Sequence, residues 1–246
     1  MNSYEKEILK EIYTWQKKMK RRPTLVDRVS KNIQNKVNDL IPHKAHEVIT
    51  IAIKNMIKAV VTGSEFITGK PHEKQSLEQR DKKAKERLVL YQRTASLEGA
   101  GTGAGGILLG IADFPLLLSI KMRFLFDIAS VYGFDVRDLK ERIYILHLFQ
   151  LTFSSRQKRA FVYRKVMDWD NYIYKNPQSM DSIDWRVFQQ EYRDYLDLAK
   201  LLQFIPLIGA VFGAYANYKL LDELGDTAIN CYRLRILSRG DNDLSI

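Results

Sequence analysis

The sequence predicts an all-α protein, and three observations predict it. Apolar residues recur every three to four positions in one segment after another. No stretch alternates apolar and polar residues as a half-buried strand would. Proline, glycine and aspartate punctuate the periodic segments where helices should start and stop. At 246 residues, 46% hydrophobic and 28% charged, the chain has the composition of a folded protein. Its length suits a full core, as a single multi-helix domain or two intimate subdomains.

Taken in order, Ile8, Ile12, Trp15 and Met19 mark an amphipathic helix over 3–22. It closes on a basic run, Lys17, Lys18, Lys20, Arg21 and Arg22, and Pro23 stops it. Trp15 is expected in the core, although a tryptophan beside basic residues also suits a headgroup layer. Leu25, Val29, Ile33 and Val37 mark a second helix, broken at Pro42. A third runs from His43 to Val61, with Gly63 as its stop. His43 and His46 are three apart, but the zinc-protease spacing is absent, so no metal site is expected. A long charged helix follows over Glu73–Leu97, with a narrow stripe of Leu77, Ala84, Leu88, Tyr91 and Ala95.

That helix feeds the most distinctive stretch, 98–134. Six glycines fall between 99 and 110, and Gly99/Gly103, Gly101/Gly105 and Gly106/Gly110 are each four apart. Residues four apart share a helix face, and glycine there lets another backbone approach closely. Each glycine costs a helix roughly 1 kcal/mol relative to alanine, so six imply a compensating contact. No Walker loop is present, and the G-x-G-x-x-G at 101–106 follows a charged helical pattern instead of a strand. Ala100 to Ile120 holds 21 residues with one charge, Asp113, and one proline, Pro115. The length could span a bilayer, but a mid-membrane charge and so much glycine disfavour a plain spanning helix, and a buried or membrane-surface helix fits as well.

Gly133 should end the stretch and Asp135 should cap the next helix, with Asp138 in its first turn. Val136, Leu139, Ile143, Leu146, Leu148, Phe149 and Phe153 give that helix a broad apolar face, and His147 is expected to be a core or boundary residue. Residues 154–163 are basic, 169–177 read as an aromatic loop, and Trp185, Phe188, Tyr192, Tyr195 and Ala199 mark a further helix. Residues 201–218 are 18 without a charge, with Gly209 and Gly213 four apart and then Asn217. Leu220, Leu221, Leu224, Ala228, Tyr232 and Leu234 continue as helix to a tail, 239–246, expected to be disordered.

Charge is uneven. The net value is +10, and residues 1–98 hold 21 Lys and Arg against 12 Asp and Glu, leaving 18 against 17 for the rest. The chain therefore divides into a basic amphipathic helical region, 1–98, an apolar helical core, 99–238, and the tail. A basic half joined to an apolar half suits an anionic membrane. Nucleic acid would attract the basic half too, but no nucleic-acid motif accompanies it. The single cysteine, Cys231, permits no internal disulfide and suits a reducing compartment. The N-terminus is charged and carries no signal-peptide core, so the chain is expected to begin in the cytosol.

The run from Gly103 to Asp113 and Pro115, then Val131-Tyr-Gly-Phe-Asp135, resembles the EcsC family. So do Ile41-Pro-His-Lys-Ala-His46 and Ile205-Pro-Leu-Ile-Gly-Ala210 with Asn217. The resemblance implies a bacterial intracellular or membrane-associated helical protein, linked through its family's name to an ABC transporter, with no catalytic residues to carry over. The combined expectation is one EcsC-like domain with two glycine-bearing apolar helices packed centrally. Gly103, Gly106, Gly110, Asp113, Pro115, Gly209, Gly213 and Asn217 form the packing or functional set. Lys17, Lys18, Lys20, Arg21 and Arg22 face an anionic membrane at its inner side. Asp113 and Asn217 are expected to hydrogen-bond. No cofactor or metal is expected, and the partners are the membrane and ABC transporter components. The alternatives are a soluble regulatory scaffold and an enzyme using Asp113.

Overall fold

The computed structural model describes residues 2–21, 43–63, 75–104, 106–175, 190, 196 and 209–242. These form eight helices and no strand: α1 (Ser3–Lys20), α2 (His43–Thr62), α3 (Leu77–Ala104), α4 (Gly106–Val131), α5 (Leu139–Phe153), α6 (Arg156–Met167), α7 (Trp169–Lys175) and α8 (Gly209–Asn242). The segments expected as helices over 25–37 and 185–199 lie outside the described residues, apart from Gln190 and Leu196. A lone antiparallel bridge pairs Ser154 with Leu196.

Local chemistry sets the helix ends. Asn2 and Glu5 form a reciprocal capping box at the start of α1. Gly63 takes φ +73° after α2, and its N–H reaches Ala59 O at 2.9 Å. Gly133 takes φ +87° after α4, with Gly133 N–H on Ser130 O and Phe134 N–H on Ala129 O, both at 3.0 Å. That pair of bonds is a Schellman stop, which requires the left-handed backbone glycine adopts freely.

Two sequence expectations are corrected. The cap of α5 is Asp138, whose carboxylate accepts from Lys140 N–H at 3.0 Å. Asp135 instead engages the Arg137 guanidinium at 2.7 Å, so it sits one turn too early to cap. The aromatic segment is helix α7 rather than a loop: Tyr172 N–H bonds Asp168 O at 2.8 Å, and buried Trp169 packs on His147 and Tyr144. In addition, α8 stays helical to Asn242, into the segment expected to be disordered.

Helix α3 and α4 form an antiparallel hairpin. Arg80 bonds Tyr132 O, Arg87 pairs with Asp127 at 3.5 Å, and the rings of Tyr91 and Phe124 meet at 5.6 Å. Helix α8 runs antiparallel to α3 along its length: Arg233 meets Asp81, Asp222 meets Gln92, and Ala214 O meets Ser96. Helices α2, α5 and α6 close the lower half, where every α5 residue from Ile143 to Phe153 is buried. Helix α1 lies across α6 and α8, placing Trp15 6.0 Å from Tyr163.

Candidate functional site

The α3–α4–α8 unit has two unlike ends. At the lower end, two carboxylates are buried with their arginines. Asp81, 1% exposed, accepts from Arg233 at 3.0 Å and from Tyr4 at 2.6 Å, and also from Tyr132. Glu141 accepts from Arg235 at 2.9 Å and from Tyr232 at 2.7 Å. The Arg235 guanidinium also lies over Phe134 and Tyr144, 4.1 and 4.2 Å from their centroids.

Burial, reinforced by the carboxylates, pushes the hydroxyls of Tyr4, Tyr132 and Tyr232 well up. Burial opposes the Arg233 charge, but Asp81, Tyr132 and Glu11 hold it above the ordinary arginine range. Burial likewise lifts the Cys231 thiol and lowers the His147 imidazole to about 4. The His147 ring lies 2.9 Å through Nδ1 from Ile143 O. Each of these groups keeps one protonation state near neutral pH. That suits clasps that fix the helices, because a proton-transfer group needs a pKa close to the working pH.

The upper end carries the glycines. Gly99, Gly101 and Gly103 lie in the last turns of α3, and Gly106 and Gly110 in the first turns of α4. Gly105 between them is outside the described residues. Gly209 and Gly213 open α8. The registers above bring the end of α3 and the starts of α4 and α8 to one end of the molecule.

Close approach is recorded lower down, at a glycine the four-residue spacing does not single out. A Cβ on Gly225 would stand 2.7 Å from Leu88 Cδ1, so α3 and α8 touch there through a bare backbone. Next toward the tip come Gln92 Nε2 on Asp222 at 3.2 Å, then Ser96 Oγ on Ala214 O at 3.3 Å.

Asn217 is fully buried between α4 and α8, but Asp113 is not its partner. Its Oδ1 accepts from Lys121 Nζ at 3.0 Å, and Lys121 also reaches Leu117 O at 3.4 Å. Lys121 lies eight positions beyond Asp113, about 12 Å along the helix. The α4–α8 register therefore carries Asn217 past the aspartate. Burial brings the Lys121 ammonium down to about 7. Asp113 itself is half-buried, and α4 continues through the exposed Pro115, whose carbonyl takes Ser119 Oγ at 3.0 Å.

Around this end, large apolar side chains face outward. Leu97 is 74% exposed, Tyr215 65%, and Leu116 and Tyr218 each 47%. They come from three helices and fall within about a turn of one level by the same registers.

The basic set on α1 has neighbours of its own. Lys18 pairs with Asp226 at 3.3 Å, while Lys17 and Lys20 lie over the rings of Tyr13 and Tyr163. Arg21 is exposed, and Arg22 is outside the described residues. His43 and His46 fall in the first turn of α2, with their side chains outside those described. Among the described residues, no group of three His, Cys, Asp or Glu is placed to hold a metal ion.

Residues 6–237 match the model of the EcsC protein family. This chain belongs to that family. It is 48% identical over 231 residues to Protein EcsC of Bacillus subtilis (strain 168), covering 94% of this chain and 95% of that protein. It is 36% identical over 147 residues to the uncharacterized protein YdbA of the same organism, covering 59% of this chain and 54% of that one. No solved structure gives a significant match. The EcsC match spans both the clasped end and the glycine-bearing end, so the family assignment does not by itself choose between them.

Proposed function

We propose that this EcsC-family chain is a peripheral, non-catalytic membrane protein. Its glycine-bearing end rests on the anionic inner face of the bilayer and there supports a membrane partner of the ABC transporter kind. The observation that carries this reading is the layering of charge. The last turns of α3 after Glu98, the turns of α4 before Asp113 and the turns of α8 before Lys219 hold no charged residue. Exposed Leu97, Leu116, Tyr215 and Tyr218 lie at their margin.

At about 1.5 Å per residue these uncharged ends are roughly 10–15 Å long, about the depth of one leaflet of a ~30 Å core. That length suits insertion without crossing. Among the described residues, no helix is long and apolar enough to span a membrane. On this reading Gly103, Gly106, Gly110, Gly209 and Gly213 keep the tip slender enough to enter the lipid and let the helix ends pack.

Flotation with vesicles containing anionic lipid tests the proposal. The chain should float with them, and Gly106→Leu should either weaken flotation or destabilise the fold. A Gly106→Leu variant with parental stability and flotation would remove the packing role. Quantitative recovery of the parent chain in the soluble fraction at low salt would leave the soluble-scaffold alternative.

A further inference from the structure

We infer that Arg93, Arg123 and Lys219 form a collar that binds the phosphodiester groups of anionic phospholipids and sets how deep the tip enters. The inference rests on the membrane reading above and adds the ligand chemistry and the residues that meet it. Moving away from the tip, these are the first exposed cations on α3, α4 and α8 respectively.

Their level follows from the contacts between the three helices. The Lys121–Asn217 bond puts Arg123 and Lys219 at one level, each two residues farther on and turned away from the α4–α8 seam. The Tyr91–Phe124 and Gln92–Asp222 contacts put Arg93 within a turn of both. Arg93 lies one turn below Leu97, Lys219 one turn below Tyr215, and Arg123 two turns below Leu116.

Nearby acids are otherwise placed. Asp127 pairs with Arg87 and Asp222 takes Gln92, Glu98 and Asp113 are half-buried on the tip side of the collar, and half-buried Glu223 lies one turn below Lys219 on the side away from the tip. Among the described residues, no ion pair takes up Arg93, Arg123 or Lys219. The α1 lysines, by contrast, are engaged by Asp226 and two tyrosine rings.

The resulting order from the tip downward is uncharged turns, then the half-buried Glu98 and Asp113, then Tyr215 and Tyr218, then three exposed cations. A bilayer presents the matching order of acyl chains, interface and phosphate. Tyrosine favours the interface, and long basic side chains extend their charge toward the headgroups. Protein partners and nucleic acid do not require this succession of layers.

The test uses the full chain with Tyr215→Cys carrying an environment-sensitive fluorophore, since native Cys231 is fully buried and escapes labelling. Vesicles are phosphatidylcholine with phosphatidylglycerol, or phosphatidylcholine alone. The label should move to an apolar environment on the anionic vesicles. Arg93→Gln/Arg123→Gln/Lys219→Gln should bind them on the order of 100-fold more weakly, about fivefold per cation. It should also lose most of the salt dependence. A matched Lys17→Gln/Lys18→Gln/Lys20→Gln variant should lose less.

If the collar variant binds as tightly as its parent while the label still enters lipid, the collar is wrong and the tip reading survives. If the label stays in water on every vesicle, or the chain only self-associates, both fail. Circular dichroism of the collar variant should match the parent, because all three side chains are exposed.

Discussion

The two ends of the α3–α4–α8 unit solve the same packing problem with opposite chemistry. The lower end holds α8 through buried ion pairs, Asp81 of α3 with Arg233 and Glu141 of α5 with Arg235, beside stacked tyrosines. The upper end joins its helices through one neutral contact at Ser96 and one buried lysine on an amide, with the bare backbone of Gly225 lying between the two ends. Because removing one partner would leave the other charge buried and uncompensated, the lower end is where a substitution should cost most stability. The upper end leaves leucines and tyrosines facing outward, which adds little to folding and is available for binding. The comparison suggests that stability and attachment can be altered independently.

The largest effect should come from the lower end. Arg233→Met leaves the Asp81 carboxylate buried without its cation, which should cost about 3–5 kcal/mol in chemical denaturation. Vesicle affinity of the molecules that remain folded should not change. A loss under 1 kcal/mol would mean that the pair is not buried as described.

The mirror experiment is Leu97→Asp at the upper end. Stability should move by no more than about 0.5 kcal/mol, as for other exposed sites. Vesicle affinity should fall by up to the roughly 2.5–3.5 kcal/mol that a charge costs in the apolar layer. Unchanged binding would erase the division between the ends.

How much of this was legible in the sequence follows from the same contrast. Stripes such as Ile8, Ile12, Trp15 and Met19 are buried as their spacing says, and Gly63 and Gly133 stop their helices. Periodicity reports which face is apolar, and those features are local. The clasps were not legible. Asp81 and Arg233 are 152 residues apart, and on a charged helix each reads as solvated surface until α8 is laid against α3. Gly225 was missed because it has no glycine neighbour at helical spacing. Asn217 was recognised as buried, but its partner depends on the α4–α8 register, which no local pattern encodes. The glycine cluster was legible as a feature, and its division between the end of α3 and the start of α4 was not, because the same four-residue spacing runs through both.

Acidity sharpens the comparison further. Folding lowers the Lys121 pKa to about 7, below its ordinary 10.5. Between those values the unfolded chain holds the proton that the folded chain releases. The cost to stability is therefore full below about pH 7 and fades as pH rises toward 10.5. Lys121→Met should flatten this rise and stabilise the fold at pH 6 by about 1–2 kcal/mol, allowing for the lost bond to Asn217. Denaturation at pH 6 and pH 9 reads both numbers, and parallel slopes in parent and variant would contradict the burial. His147 acts with the same sign over a lower window, its contribution being lost as pH falls from 6.5 to about 4.

The smallest effect should be at Lys18. Its pair with Asp226 is exposed on both sides, so Lys18→Ala should change stability by less than about 1 kcal/mol in the same denaturation assay.

The most direct measurement is amide hydrogen exchange of the full chain with and without anionic vesicles. Protection should appear in the last turns of α3, the first turns of α4 and the first turns of α8, and nowhere else to a comparable degree. Protection centred on α1, or on α5 to α7 with the glycine-bearing turns unchanged, would contradict attachment by this end.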